Sequence, residues 1–411
     1  METIKIALLG FGTVGSGVYE IIRSHQERLR TLLGKNVEIV GVLINDKTKE
    51  RHIDKDILVT TDIEQIFEIP DVEVVIEAIV GVEPGFTYLS KAIDKGYHII
   101  TANKELFAHK GQQLKQKAAD RGVRISYEAS VAGGIPIIGT LRQLLQVNSV
   151  VQIEAILNGT SNFILSEIRG EEISFEHALQ SAQQNGFAEA DPSNDIDGHD
   201  AFYKIVILFE LLFGRQPKWE LIRRKGIRNI RLNHIRLAES FGFRIKHVAS
   251  LSYENGSVEI NVEPNVVPED HPLYSVEGVD NAVVLTGDLI GELKLQGPGA
   301  GKLPTGSAII EDLVNIFNAE KQHRLVKDID LKAGTANEFQ TWFVIGNAVD
   351  PFDGLTLFEN SINDQGKFVT ARLIEATEGQ VKQLLNKNSD LVIYPFAGKP
   401  SQPIKKAFVS A

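Results

Sequence analysis

The sequence contains no cysteine among its 411 residues. Disulfide bonds, thiolate metal sites and a cysteine nucleophile are therefore excluded. It also has no apolar run of the roughly 20 residues that a membrane-spanning helix requires, and nothing typical of a signal peptide follows Met1. From these absences we expect a cytoplasmic protein that has no membrane partner.

Positive charge is also scarce. The formal net charge is −11, and residues 223–231 (RRKGIRNIR) form the only basic cluster. We expect this cluster to be a solvated helix face or loop, and the overall balance argues against a nucleic acid as the main partner. The length and a hydrophobic content of 43% allow two or three domains with substantial cores.

A glycine motif stands near the start of the sequence. Residues 4–9 are typical of a buried strand, a helical pattern covers about 16–33, and residues 37–44 predict a second strand. The G-x-G-x-x-G at the first turn of this β-α-β unit predicts a Rossmann-type dinucleotide site, because glycine lets the backbone approach a pyrophosphate at a helix N-terminus. The motif consists of Gly10, Phe11, Gly12, Thr13, Val14 and Gly15.

The end of the second predicted strand should decide between NAD and NADP. Asp46 could bind a ribose hydroxyl, whereas Lys47, Lys49 or Arg51 could bind a 2′-phosphate. Asn45 and Asp46 are candidate cofactor-binding residues, and the sequence leaves the choice of cofactor open.

Three more predicted strands, at 72–79, 97–100 and 123–127, extend the pattern to an open parallel sheet with helices between the strands. Thr101, Asn103 and Lys104 follow the second of these strands directly. Open α/β sheets bind ligands beyond the carboxyl ends of their strands, so all three are candidate site residues. The alternative for Lys104 is a solvated lysine at the start of a helix.

A loop of small residues leaves this sheet at 128–136 (EASVAGGIP). It could pack a helix against the nicotinamide, or it could bind a cation through backbone carbonyls and Glu128. It could equally be a plain interdomain hinge, and the spacing does not distinguish these alternatives.

Residues 150–300 change character, because strands and helices no longer alternate regularly. A strand at 150–157 ends in a polar turn, 158–162, which opens a helix; helical patterns then occupy roughly 219–241. Alternating segments at 245–252, 257–263 and 280–296 predict further strands, and hence an α+β domain with an open sheet. Such a sheet usually hides an edge or face in an oligomer.

A glycine-rich turn at 297–301 and a helix over about 309–320 follow this domain. The turn and the helix start indicate that the chain returns to the cofactor cleft. Gly301 and Thr305 are the candidate cofactor-binding residues of this segment.

Residues 186–204 (GFAEADPSNDIDGHDAFYK) hold five acids before a single lysine, Lys204. The acids are Glu189, Asp191, Asp195, Asp197 and Asp200. Asp197 is the predicted N-cap of a helix on which Asp200 and Lys204, four residues apart, share a face. The helix continues as IVILFELLF, which is apolar on nearly every face and should be buried.

This arrangement favours a site that binds a substrate cation through carboxylates and moves a proton through the lysine. Burial and nearby carboxylates shift a lysine pKa in opposite directions, which suits such a residue to acid–base work. The alternative is an acidic loop in solvent with a surface Asp–Lys pair.

With these motifs assembled, the chain resembles the homoserine dehydrogenases over about residues 1–325. The shared motifs, in the order of that family, are GFGTVG (10–15), TANKEL (101–106), YEASVAGGIPII (127–138), NGTSNFIL (158–165), GFAEADPSNDIDGHDAFYK (186–204) and LPTGSA (303–308). The resemblance implies an α/β fold and the NAD(P)-dependent interconversion of L-homoserine and L-aspartate 4-semialdehyde, on the route to threonine and methionine. It also implies a homodimer formed largely through the middle domain.

The resemblance further implies roles for residues that match the family's motifs. Lys204 matches the acid–base lysine, and Lys104 matches a second active-site lysine. The implied substrate-binding residues are Glu189, Asp195, Asp200, Gly159 and Thr160. A monovalent-cation site, for sodium or potassium, matches Glu128 and the backbone carbonyls of Val131, Gly133 and Ile135.

The resemblance also divides the chain into regions. Residues 1–136, completed by a helix at 305–325, should form the Rossmann domain, and 137–304 the substrate-binding and dimerisation domain. Residues 335–411 could form a ferredoxin-like sheet from strands 339–345, 367–374 and 390–396 and a helix at 377–387. The segment 349–357 is too short and glycine-broken for the first helix of that fold, so we predict a degenerate ACT-like tail.

The chain departs from the family at two positions in the cofactor region. A loop that usually has paired glycines reads Gly81-Val82, and Asn45 replaces a common basic residue. The second departure leaves the 2′-phosphate preference open.

Three rival functions can be compared with this interpretation. Aspartate-semialdehyde dehydrogenase needs a cysteine nucleophile, which the chain lacks. A nucleotide-sensing protein without chemistry would predict the loss of Lys104, Lys204 or the acids, yet all are present. A metal hydrolase built on His199 and the aspartates would need regular ligand spacing and a second histidine.

Overall fold

A computed structural model describes residues 2–254, 256–318, 332–333, 339–346, 356–364 and 367–398. The chain forms two compact units, each built from separate segments. The first contains 1–148, 203–217 and 297–328; the second contains 149–202, 218–296 and 329–411. Among the described residues, no helix is long and apolar enough to span a membrane.

Strands and helices alternate over the first 148 residues. They are β1 (Thr3–Leu9), α1 (Thr13–Ser24), α2 (Gln26–Leu33), β2 (Asn36–Leu43), β3 (Leu58–Thr60), α3 (Ile63–Phe67), β4 (Val72–Glu77), α4 (Gly85–Asp94), β5 (His98–Thr101), α5 (Lys104–Arg121), β6 (Ile125–Ser126) and α6 (Ile137–Leu144). The strands are parallel in the order β3-β2-β1-β4-β5-β6. This is the doubly wound order of dinucleotide-binding folds, so the predicted parallel sheet is confirmed.

The predicted helix over 16–33 is wrong in one respect, because it is two helices. The N–H of His25 donates to Ile21 and closes α1, while its carbonyl accepts from Leu29 in α2. The chain therefore turns at His25, and α2 ends at Gly34, whose φ of +67° favours glycine.

The middle of the chain forms most of the second unit. The elements of this part of the chain are β7 (Val150–Ile156), α7 (Gly159–Gly170), α8 (Phe175–Gln184), α9 (Ser193–Ile196), α10 (His199–Phe213), β8 (Arg223–Arg224), α11 (Leu232–Ser240), β9 (Phe243–Glu254), β10 (Ser257–Pro268), β11 (Asp280–Gly287) and β12 (Gly291–Pro298). The last segment of the chain adds α12 (Lys302–Asn318), β13 (Lys332–Ala333), β14 (Phe339–Ile345), β15 (Thr356–Asp364), β16 (Lys367–Thr377), α13 (Glu378–Lys387) and β17 (Val392–Pro395).

The second unit contains a seven-stranded mixed sheet. Its order is β12-β11-β7-β9-β10-β13, and β8 also pairs with β10. The predicted helical pattern over 219–241 is confirmed only in part: α11 and one 3₁₀ turn at Trp219–Leu221 are helical, and the residues between them are not. Arg223 instead enters β8, because its guanidinium binds Asn261 and Glu259 of β10 at 2.9 and 2.7 Å.

Helix α12 completes the first unit. It begins at Lys302, seven residues before the helix start predicted from the sequence. Its buried side chains Ile309, Leu313 and Ile316 join the same hydrophobic cluster as Ile4 and other residues of β1. The helix therefore covers one face of the parallel sheet, although it lies far from that sheet in sequence.

A four-stranded antiparallel sheet, β15-β16-β14-β17, lies in the second unit. The predicted strands and helix of the tail are confirmed, and β15 is an addition that the sequence pattern did not predict. Residues 347–355, which include most of the glycine-broken segment, lie outside the described residues. Phe343 and Tyr394 of this sheet share a hydrophobic cluster with Ile164 of α7 and Phe241, so the sheet is part of the core of the second unit.

Candidate active site

The glycine motif forms the turn between β1 and α1. Gly10 has a φ of +98°, and a Cβ there would approach the Ala78 carbonyl oxygen at 2.6 Å. A Cβ at Gly15 would overlap the carbonyl oxygen of Gly10. At Gly12, the residue before α1, a Cβ would meet nothing within 4 Å. Gly10 and Gly15 are thus needed for packing, while Gly12 leaves open space at a helix N-terminus, as a pyrophosphate requires.

A buried carboxyl group, which the sequence analysis missed, organises the next edge of the sheet. Glu77 ends β4 with no exposed surface. It accepts hydrogen bonds from the Thr101 hydroxyl at 2.5 Å, the Ile79 N–H at 2.7 Å and the Asn103 amide at 3.3 Å. Burial raises the pKa of Glu77 to about 7, against the lowering effect of these donors. Its signal in the sequence was an acid at the end of a mostly apolar strand.

Asn103 connects this carboxyl group to the predicted lysine. Its side-chain oxygen accepts from the Leu106 N–H at 3.0 Å and caps α5, and its amide donates to the Gly81 carbonyl at 2.7 Å. Lys104 is the first residue of α5 and is exposed. Thr101, Asn103 and Lys104 therefore lie together at the carboxyl ends of β4 and β5, where the sequence placed them.

The residues after β2 form a compact turn. The Asp46 carboxylate accepts from the Thr48 N–H at 2.8 Å and the Thr48 hydroxyl at 2.6 Å. These bonds hold the pKa of Asp46 below its usual range. Arg51 donates to the carbonyl of Asp46 at 2.6 Å, while Asn45, Lys47 and Lys49 are exposed. The carboxylate predicted to bind a ribose is thus already engaged within its own turn.

Glu128 is buried and caps a helix. Its two carboxylate oxygens accept from the Ile138 and Gly139 N–H groups of α6, each at 2.7 Å. Burial is the main cause that raises the pKa of Glu128, which the two N–H donors oppose. Its own N–H donates to Asp312 at 2.8 Å. The carboxylate therefore stabilises the start of α6, a role that the three sequence-based alternatives did not include.

The other predicted residues of this loop are also close to α12. Val131 and Ile135 are buried, and the Ile135 carbonyl accepts from the Ile137 N–H at 2.8 Å. Gly133 has a φ of +54° and is in close contact with Gly299. Gly301 has a φ of +125°, and its carbonyl accepts from the N–H of the buried Thr305 at 3.1 Å. Within the first unit, the turn at 297–301 therefore lies beside the loop at 128–136.

The side-chain oxygen of Asn158 caps α7 by accepting from the Ser161 N–H at 2.8 Å. Its amide donates to Asp195 at 2.7 Å and to Asp200 at 2.9 Å. One neutral side chain thus brings two of the predicted substrate-site carboxylates together.

Gly159 and Thr160 begin α7 beside this asparagine. A Cβ at Gly159 would approach the Val279 carbonyl oxygen at 2.6 Å, so only glycine fits there. The Thr160 hydroxyl donates to the Phe187 carbonyl at 2.6 Å and fixes the start of the acidic segment. Glu189, further along that segment, is exposed.

The remaining acids of the segment have structural partners. Asp191 accepts from the Ser193 hydroxyl at 2.6 Å and N–H at 3.1 Å. Asp197 binds the Arg228 guanidinium through both oxygens, and this contact holds the pKa of Asp197 below its usual range. The prediction that Asp197 caps the following helix is wrong, since it ends α9 and α10 starts at His199.

The basic cluster is a mostly exposed loop, as predicted, in which several residues also have partners elsewhere in the second unit. The chain at 226–228 lies against the acidic segment: Ile227 donates its N–H to the Ile196 carbonyl at 2.8 Å, and Arg228 binds Asp197. Arg223 binds acids of β10, and the Lys225 carbonyl lies 3.1 Å from Nε2 of His247. Burial lowers the pKa of His247 to about 4.

Helix α10 carries both Asp200 and Lys204. Both side chains are buried, with 3% and 7% of their surface exposed. The two residues are one helical turn apart, as the sequence predicted. Asp200 belongs to the second unit and Lys204 to the first.

The described residues contain no group of three or more histidines, cysteines or acids that could hold a metal ion. Asp191 and Asp197 are occupied by other partners, as described above.

Two family models match the chain. The model described as "Homoserine dehydrogenase, NAD binding domain" matches residues 10–128, and the one described as "Homoserine dehydrogenase" matches 136–314. Together they cover the glycine motif, the acidic segment and α10.

Individual proteins give the same result. The homoserine dehydrogenase of Bacillus subtilis is 41% identical over 319 residues, which are 77% of this chain and 73% of that protein. A homoserine dehydrogenase structure from Thiobacillus denitrificans superposes with a TM-score of 0.87 at 30% identity, covering 96% of this chain and 98% of that one. A hyperthermophilic archaeal homoserine dehydrogenase in complex with NADPH gives a TM-score of 0.66 at 28% identity, over 76% of this chain and 97% of that one.

Proposed function

Because the chain belongs to the homoserine dehydrogenase family, we propose that its site residues divide the reaction of that family between cofactor binding, substrate binding and proton transfer. The chain is an NAD(P)-dependent oxidoreductase that acts on a CH–OH group and interconverts L-homoserine and L-aspartate 4-semialdehyde. The observation that carries the assignment of roles is the amide of Asn158, which binds Asp195 and Asp200 together.

Asp195 and Asp200 bind the ammonium group of homoserine in this proposal. Two carboxylates held by one neutral donor keep their negative charge concentrated, and an ammonium ion would offset it. Glu189 adds charge from an exposed position. Gly159 and Thr160, at the N-terminus of α7, favour the carboxylate of the substrate through the helix dipole.

Lys204 moves the proton. A bound nicotinamide would supply the acceptor for a hydride from C4 of homoserine, or the donor of a hydride to the aldehyde. In the oxidative direction a neutral Lys204 takes the hydroxyl proton as the C–O bond becomes a carbonyl; in the reductive direction its ammonium form donates that proton to the oxygen. The buried position of Lys204 supports this role over that of Lys104, which is exposed and suits substrate orientation instead.

The test is nicotinamide absorbance with L-homoserine as substrate. We expect Lys204→Ala to abolish turnover and to leave NADP affinity unchanged, while Lys104→Ala mainly raises the KM for homoserine. Lys91→Ala, an exposed lysine that pairs with Glu64 at 2.6 Å, is the matched control and should behave as wild type. Wild-type turnover in the Lys204 variant would refute the assignment.

We propose that NADP is preferred over NAD. Asp46 is engaged by Thr48, so it is poorly placed to bind a ribose hydroxyl, and the exposed Lys47 and Lys49 leave the turn open to a 2′-phosphate. The archaeal neighbour in complex with NADPH supports the same choice. The ratio of turnover rates with the two cofactors tests it, and a higher kcat/KM with NAD would contradict it.

The proposed cation site uses the carbonyls of Val131, Gly133 and Ile135. The Glu128 carboxylate already accepts two N–H groups, so in this proposal it contributes negative charge rather than a freely available ligand. A melting temperature that rises in potassium or sodium chloride relative to choline chloride, and does so less in Glu128→Gln, is the expected result. Equal melting temperatures in all three salts would remove the site from the proposal.

A homodimer formed largely through the middle domain stays a prediction from the family resemblance, and a cytoplasmic location stays a prediction from the sequence. The exposed side chains of Leu289 and Ile290, in the turn between β11 and β12, support an interface at that end of the sheet. Sedimentation of the intact protein tests the dimer, and a monomer at micromolar concentration would contradict it. Cell fractionation tests the location.

A further inference from the structure

The chain contains a second lysine–carboxylate pair that the reaction does not use. Lys115 on α5 and Glu210 on α10 form an ion pair, with 10% and 3% of their side chains exposed. Lys115 also lies over the rings of Phe107 and Tyr127, at 5.6 and 5.7 Å from their centroids. A buried pair of this kind is costly to desolvate, and replacing it by apolar residues is often neutral for stability, so its presence calls for a reason other than stability alone.

Two more contacts join the same helices. Gln216, just after α10, donates to Glu210 and also to the Ala108 carbonyl of α5 at 3.1 Å. At the other end, the rings of His109 and Tyr203 lie 5.7 Å apart. All these residues belong to the first unit. The segment from Tyr203 to Gln216 therefore contacts α5 through three separate interactions.

These contacts bear on the two lysines of the site. α5 begins with Lys104, and Lys204 follows Tyr203 directly on α10. An α-helix has a fixed rise per residue, so a contact that sets the relative register of the two helices also constrains the backbone positions of the two lysines.

We propose that Lys115 and Glu210 are a positioning pair, which fixes α10 on α5 and thereby sets Lys204 relative to Lys104 for the chemical step. Neither residue touches the reacting atoms in this proposal. The inference rests on the proposed roles of Lys204 and Lys104. A shift of about 1 Å in a reacting group can cost on the order of 100-fold in rate, so a pair of this kind has a kinetic effect without any chemistry of its own.

The test compares Glu210→Asp, Lys115→Met and Glu210→Gln with the double variant Lys115→Met/Glu210→Gln. Glu210→Asp keeps the charge but shortens the side chain by one methylene, so the pair can persist only if α10 moves. We expect kcat to fall by about tenfold in Glu210→Asp, with the KM values for homoserine and NADP nearly unchanged and the melting temperature close to wild type.

The primary isotope effect on kcat with C4-deuterated homoserine supplies a readout that a merely structural role would not change. It should rise in each single variant, because a misplaced Lys204 slows the chemical step. The double variant should be no slower than the worse single variant, since both changes remove one contact. Lys117→Met is the matched control: it lies on the same helix but pairs with Asp94 at the surface, at 2.6 Å, and should leave kcat and the isotope effect unchanged.

Two outcomes would overturn the proposal. In the first, kcat and the isotope effect stay at wild-type values in Glu210→Asp. In the second, all pair variants lose stability but no variant changes the isotope effect. Either result is distinct from a failure of the proposed function, in which Lys204→Ala itself would retain turnover. Should Lys115→Met not fold, Glu210→Asp still decides the question, because it retains both charges.

Discussion

The first unit, with the candidate cofactor residues, and the second unit, with candidate substrate residues, use carboxyl groups in opposite ways. Glu77, in the first unit, is fully buried and receives hydrogen bonds only from neutral groups, so its pKa rises to about 7. Asp197, in the second unit, is partly exposed and binds the guanidinium of Arg228, so its pKa is lowered. Burial without a positive partner makes the first acid a structural acceptor, whereas the second keeps its charge.

The comparison shows that the residue type alone does not reveal the role of an acid in this chain. Asp195 and Asp200 resemble Asp197 in sequence but share a neutral donor, Asn158. Asn158 itself adds no positive charge beside the two carboxylates.

Removal of the shared donor should have the largest effect. In Asn158→Ala the two carboxylates lose their common partner and α7 loses its cap, so the substrate site should loosen. We expect kcat/KM for homoserine to fall by roughly 100- to 1000-fold, with NADP affinity unchanged. Steady-state kinetics and cofactor titration measure both.

Asn194→Ala serves as the control, because Asn194 is an exposed asparagine of the same acidic segment. It should keep wild-type kinetics. A loss of NADP affinity in Asn158→Ala equal to the loss for homoserine would show that the two units are not separable in this way.

Glu77→Gln should remove a pH dependence of stability. The pKa of Glu77 is about 7 in the folded protein and near 4.5 unfolded, so the folded state binds more protons between these values. The contribution of this group to the free energy of unfolding is therefore full below about pH 4.5 and is lost as the pH rises to about 7, by up to about 3 kcal/mol.

Thermal melts of both proteins at pH 5 and pH 8 test this prediction. The wild type should lose more stability than Glu77→Gln between the two pH values. Parallel behaviour of the two proteins would show that Glu77 titrates normally in the folded state.

Substitutions at two glycines of the cofactor motif should have the smallest effect on binding. They distinguish a glycine that leaves space for the cofactor from one that is needed for packing. Gly12→Ala places a methyl group in open space, so we expect an unchanged melting temperature and about tenfold weaker NADP binding, or roughly 1.4 kcal/mol. Gly15→Ala should instead lower the melting temperature, because its methyl group overlaps the Gly10 carbonyl. Unchanged NADP binding in Gly12→Ala would mean that the open space does not receive the pyrophosphate.

Much of the fold was predictable from the sequence because its signals are local. The strands of the parallel sheet are short apolar runs, and the turn after β1 is marked by the glycine motif. The motif residues Thr101, Asn103 and Lys104 were also found, since their position after a strand is a local property as well. The break at His25 was missed, because the helical pattern on its two sides is continuous.

The remainder depends on contacts between residues far apart in sequence. Arg223 was expected in a helix or loop, and its pairing with β10 across 36 residues could not be inferred from its neighbours. The different partners of the acids have the same origin. Arg228 binds Asp197, whereas Asn158 binds Asp195 and Asp200. Glu77 looked like an ordinary strand residue, since nothing local indicates that Thr101 and Asn103 would enclose its carboxyl group.

The position of α12 late in the sequence has a consequence for the protein during its synthesis. During synthesis, the face of the sheet around Ile4, Ile6 and Leu8 is covered only in part, by residues of α1 and α2, until Ile309 and Leu313 leave the ribosome. At usual translation speeds of about 5–20 residues per second, the interval between α6 and α12 lasts on the order of ten seconds. Throughout that interval the nascent chain exposes an apolar sheet surface to chaperones and proteases. That surface can be covered only after α12 has left the ribosome.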